Sequence, residues 1–66
     1  MPSLSEEARN KVLEALKEEV KGAAALTISK KAGLSLMDTV RLLEELVDLG
    51  LVEKKGKTYR LVKAQP

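Results

Sequence analysis

No cysteine and no histidine occur among the 66 residues. The first absence removes disulfides and thiolate metal sites, and the second removes the commonest metal ligand and the side chain that titrates near neutral pH. Tryptophan and phenylalanine are missing too, and Tyr59 is the whole aromatic complement, so any core must be aliphatic. The longest apolar run, Ala23 to Leu26, is far below the roughly 20 residues that span a bilayer. The N-terminus has no basic segment followed by an apolar one. These absences lead to the expectation of a soluble, cytoplasmic protein with no metal, no cofactor and no membrane partner. Catalysis is excluded on similar grounds. Glu44 and Glu45 diverge by about 100° on a helix, the glycines at 22, 33, 50 and 56 are scattered, and no serine has a histidine to activate it.

What remains is 44% hydrophobic and one-third charged, in a chain long enough for one domain that buries about 60% of its unfolded surface. The net charge of +2 conceals polarity along the chain. Residues 5–21 sum to −1, residues 22–34 to +2, residues 35–50 to −3 and residues 51–66 to +4. The cations therefore concentrate at Lys30-Lys31 and near the C-terminus, with an acidic segment between them.

Periodicity divides the chain into four elements. Ser3 or Ser5, with Glu6, caps a helix over about residues 5–21, whose apolar stripe is Ala8, Val12, Ala15, Leu16 and Val20 with Leu13 beside it. Lys21-Gly22 ends it. The stretch from Ala23 to Ala32 is ambiguous, because alanine favours helix whereas Leu26-Thr27-Ile28 suits a short extended segment. We take it as a helix over about 24–32, with Ala25, Ile28 and Ala32 inward, Lys30 and Lys31 outward and Gly33 as its left-handed stop. Ser35 caps a third helix over about 36–49, with Asp38 in its first turn. Leu36, Thr39, Val40, Leu43, Leu46 and Val47 form its core face, widened by Leu42 and Leu49. Met37, Asp38, Arg41, Glu44, Glu45 and Asp48 face away. A hairpin over about 51–62 turns at Lys55-Gly56, and a tail follows Lys63.

Three pieces of this pattern resemble the winged helix-turn-helix superfamily, over about residues 5 to 62. They are Ile28-Ser29-Lys30-Lys31-Ala32-Gly33-Leu34-Ser35, the run Leu43 to Val52 that ends a reading helix, and the wing from Lys54 to Arg60. The resemblance implies one domain over residues 1–66, mainly α with a small β-hairpin, in which three helices precede a two-stranded wing. It implies a DNA-binding or transcription-associated factor, with double-stranded DNA as partner, and the third helix brought to the major groove. Met37, Asp38 and Arg41 would then approach base edges, and Arg41 is the outward residue able to make a bidentate guanine contact. Lys30, Lys31, Lys54, Lys55, Lys57 and Arg60 would meet phosphates.

Other readings of the same residues stay open. Arg41 suits an ion pair with Asp38, Glu44 or Glu45, Asp38 suits a cap, and the wing lysines suit protection of a sheet edge. Tyr59 suits packing of the wing against helix 1 or helix 3. Four carboxylates on the third helix oppose approach to phosphates. A protein-interaction domain is therefore the alternative, in which the acidic face of the third helix meets a basic protein partner or Val40, Leu42 and Leu49 form the apolar interface of a homodimer.

Overall fold

A computed structural model describes residues 6–62. The order is α1 (Glu6–Glu18), β1 (Ala23–Ala24), α2 (Ala25–Ala32), α3 (Leu36–Asp48), β2 (Val52–Lys55) and β3 (Thr58–Leu61). The expected caps Ser3 and Ser5 and the tail after Lys63 lie outside the described residues. No helix among the described residues is long and apolar enough to cross a membrane.

The core is aliphatic, as the composition requires. Val12 and Leu16 from α1, Ile28 from α2, and Leu42, Leu43 and Leu46 from α3 meet at its centre, with Val52 and Tyr59 closing it from the sheet. Each fully buried side chain of this size contributes about 1.5–3 kcal/mol of transfer free energy. Tyr59 packs as the sequence suggested, inside the core and on a strand that lies against α1.

The chain leaves α1 earlier than its apolar stripe predicts. The helix ends at Glu18, and Val20, expected in the core, is 79% exposed. The Glu19 N–H donates to the Leu16 carbonyl at 3.0 Å and the Gly22 N–H to the Glu19 carbonyl at 2.8 Å, so the backbone is tightening into a turn where the stripe would have continued. Gly22 sits at φ 98°, and a Cβ there would lie 3.2 Å from the Tyr59 carbonyl oxygen. Only glycine combines that conformation with that proximity.

The close approach delivers Ala23–Ala24 to the sheet as a third strand, beyond the two expected of the hairpin. The sheet order is β1-β3-β2, antiparallel throughout, with Ala23 opposite Tyr59, Ala24 opposite Thr58 and Val52 opposite Leu61. The extended residues are thus the alanines, and Leu26-Thr27-Ile28 is helical. Gly33 closes α2 at φ 72°, its N–H and that of Leu34 both donating to the Ser29 carbonyl, at 2.9 and 3.0 Å. Ser29 is itself buried, with its hydroxyl donating to the Leu26 carbonyl at 2.7 Å.

Helix α3 begins as predicted: the Ser35 hydroxyl accepts from the Asp38 N–H at 3.1 Å. Its buried face is rotated from the predicted one, comprising Thr39, Leu42, Leu43 and Leu46. Leu42, placed above at the edge of the core face and also offered as an interface residue, is 1% exposed and belongs to the core, not to an interface. Val40 and Val47 are half-buried, and Leu36 and Leu49 are exposed. The rotation follows from where the neighbours lie, since α3 packs against α1 as well as α2 and β2 and buries the Leu42 side too. A hydropathy pattern carries no such information.

Candidate nucleic-acid interface

The outward residues of α3 fall into two unlike halves. In the first half, Leu36, Met37 and Arg41 are exposed and Val40 is half-buried. Arg41 has no ion pair among the described residues, so none of the carboxylates proposed for it holds it. Asp38 is half-buried, and its backbone N–H is the group that Ser35 caps. In the second half, Glu44, Glu45 and Asp48 are exposed. Arg9 of α1 reaches Glu45 at 3.1 Å, which neutralises one carboxylate and ties the first helix to the third.

The hairpin presents its cations on a short ladder. Lys55 pairs across the strands with Thr58, Glu53 with Arg60 and Lys54 with Tyr59. The turn falls at Gly56–Lys57, one residue later than predicted, which carries Lys57 to the tip. Thr58 steadies that turn by donating its hydroxyl to the Lys55 carbonyl at 2.8 Å. Lys54 lies with Nζ 5.8 Å from the Tyr59 ring centroid, close enough for a cation–π contact that leaves the charge exposed.

The seven predicted cationic residues are therefore not equivalent. Lys31 bridges Glu18 at 3.1 Å and Glu19 at 3.2 Å, where its hydrogen bond to Glu18, then that to Glu19, raises its pKa above the ordinary lysine value. Arg60 is held by Glu53 at 3.0 Å. Lys30, Arg41, Lys54, Lys55 and Lys57 are exposed and have no ion pair among the described residues. Sequence reasoning missed the partners of Arg9 and Lys31 because they lie 36 and 13 residues away, beyond any helical repeat. It also placed Leu36 in the core, although a first-turn position ahead of the buried stripe was a signal for exposure.

Three helices, a tight turn between the second and third, and a hairpin following them make this a winged helix-turn-helix domain. The chain belongs to the IclR helix-turn-helix domain family, whose model matches residues 11–56. Among solved structures it is similar to the Zalpha domain of ORF112 from Cyprinid Herpesvirus3, solved for its binding mode to Z-DNA. The two share 28% identity with a TM-score of 0.80, over 89% of this chain and 98% of that one. No curated protein sequence matches the chain. The protein is a small winged-helix nucleic-acid-binding protein.

Proposed function

We propose that the protein binds duplex DNA as a transcription-associated factor, with the hairpin lysines on phosphates and the first half of α3 toward the bases. The observation that carries this reading is the division among the cations. Lys54, Lys55 and Lys57 on the hairpin and Arg41 on α3 are exposed and without a carboxylate partner among the described residues. Unpaired exposed cations cost little to bring to phosphates, because no existing salt bridge has to open. Lys30 adds to the same phosphate-binding set, whereas Lys31 and Arg60 must first leave Glu18, Glu19 and Glu53. Glu44 and Asp48 keep the second half of α3 away from phosphates by like-charge repulsion.

The test is a salt titration of binding to random duplex DNA, comparing the wild type with a variant carrying Lys54→Ala, Lys55→Ala and Lys57→Ala. Each phosphate contact contributes about 0.9 to the slope of log K against log salt, so the triple variant should lose roughly 3 from that slope. An unchanged slope removes the hairpin from the interface. Because the structural neighbour was solved with Z-DNA, a left-handed duplex is the second probe in the same titration.

Self-association is a second reading, favoured by one observation. Val20 and Leu51 are exposed beside an apolar groove between α1 and the base of the hairpin, which Leu13, Leu16, Leu61 and Val62 help to line. Of the α3 patch proposed from sequence, Val40 and Leu49 remain accessible, and Leu49 directly precedes Gly50 and Leu51 of this groove. A mass that rises with concentration, and falls back in Leu51→Glu, supports the dimer. A monomer at all concentrations removes it.

A further inference from the structure

Resting on the duplex-binding reading, we infer that the reading end of α3 recognises a thymine methyl group close to a guanine, with Met37 and Arg41 as the specificity-determining pair. Met37 is 69% exposed on a 13-residue helix whose other face is committed to the core, and exposed Leu36 beside it makes the exposure a patch rather than a single side chain. Met37 and Arg41 are four residues apart and so stand one above the other on the outward face. Leu36, also exposed, and half-buried Val40 form a parallel row beside them. The surface offered to a groove is therefore an apolar strip with one guanidinium at its end, flanked by the half-buried Asp38.

The chemistry of that strip selects among base edges. In the major groove, thymine alone presents a methyl group, and guanine presents the N7 and O6 acceptors that fit an arginine fork. Met37, Leu36 and Val40 have no hydrogen-bonding group to offer adenine or cytosine, so burying their apolar surface favours the methyl. Recognition helices of this class read with their N-terminal residues, which is the half that carries this strip. The carboxylates Glu44 and Asp48 follow in the second half and confine contact to the first.

The experiment is selection of bound sequences from a random duplex pool by the full chain, followed by affinity measurement on the enriched duplex. Wild type should enrich thymine and guanine at nearby positions. Met37→Ala should lose the thymine preference and keep guanine, and Arg41→Ala should do the reverse. Both sites are exposed and alanine is a good helix former, so unchanged thermal melts separate readout from folding. Replacing thymine by deoxyuridine in the enriched duplex removes only the methyl, and should weaken wild-type binding about fourfold per methyl buried, with no effect on Met37→Ala. Equal affinity for the thymine and deoxyuridine duplexes overturns this inference while leaving duplex binding intact. Tighter binding to a thymine-free left-handed CG duplex overturns it as well. No binding to any duplex overturns the functional reading beneath it and this inference together.

Discussion

Helix α3 and the hairpin are both parts of the candidate interface, yet they hold their places by different means. The helix buries four side chains, Thr39, Leu42, Leu43 and Leu46, and so forms one wall of the core. The hairpin buries two, Val52 at the start of β2 and Tyr59 within β3, on strands whose remaining residues are largely exposed and charged. A substitution on the inner side of α3 should therefore be read as stability, and one near the hairpin tip as binding. The difference also explains why the cations gather on the hairpin: charge placed there disturbs little packing.

The strongest test of that contrast is Leu42→Glu. A domain of this size has a net stability of about 3–10 kcal/mol, and placing a carboxylate at a site 1% exposed costs several of them. The variant should be unfolded at room temperature by far-ultraviolet circular dichroism, while the triple alanine variant of Lys54, Lys55 and Lys57 should melt within a few degrees of wild type. A folded, monomeric Leu42→Glu protein would return Leu42 to an interface role and break the contrast.

Gly22→Ala probes where the contrast ought to fail, because here the sheet becomes structural. The left-handed φ and the 3.2 Å approach to the Tyr59 carbonyl both penalise a Cβ, and the neighbour is backbone that cannot swing away. A loss of about 1–3 kcal/mol is expected in a denaturant titration. A neutral result would mean that β1 is dispensable and the hairpin is anchored by Val52 and Tyr59 alone.

These two sites also mark what could be read from sequence. Leu43 and Leu46 repeat at helical spacing, Ser35 precedes α3 with Asp38 at the third helical position, and Gly33 and Gly50 flank that helix, so three helices and a hairpin were legible from local pattern. The third strand was not, since two alanines carry no strand preference and their partners Tyr59 and Thr58 are remote in sequence. Leu42 was left between core and interface for a related reason. Its wheel position is marginal, and it is covered because neighbouring elements pack on that side of α3. Of the candidate interface, the residue types were legible. Which cations are held by carboxylates was not, because Glu18, Glu19 and Arg9 act across the fold.

Ser35→Ala gives a smaller effect and bears on the reading end itself. It removes the acceptor of the Asp38 N–H and should cost about 1 kcal/mol in thermal or chemical melts. If the first half of α3 does the reading, this variant should also weaken duplex binding at temperatures where the protein is still folded, by fraying the turn that carries Met37. Binding that tracks global stability alone would separate the cap from the interface.

The smallest expected change is Thr39→Val, and its sign is the informative part. Thr39 is completely buried on the core face of α3, and its Oγ1 has no hydrogen-bond partner among the described residues. A buried hydroxyl left without a partner is penalised, so the near-isosteric valine should stabilise the domain by about 0.5 kcal/mol, raising its melting temperature by a few degrees. Stabilisation with unchanged DNA affinity would show that the core face and outward face of α3 can be altered independently, as the contrast between packing and binding surfaces requires. Stabilisation accompanied by weaker binding would mean that the unpaired hydroxyl lets the helix adjust as it enters a groove, and the two faces would then have to be treated as coupled.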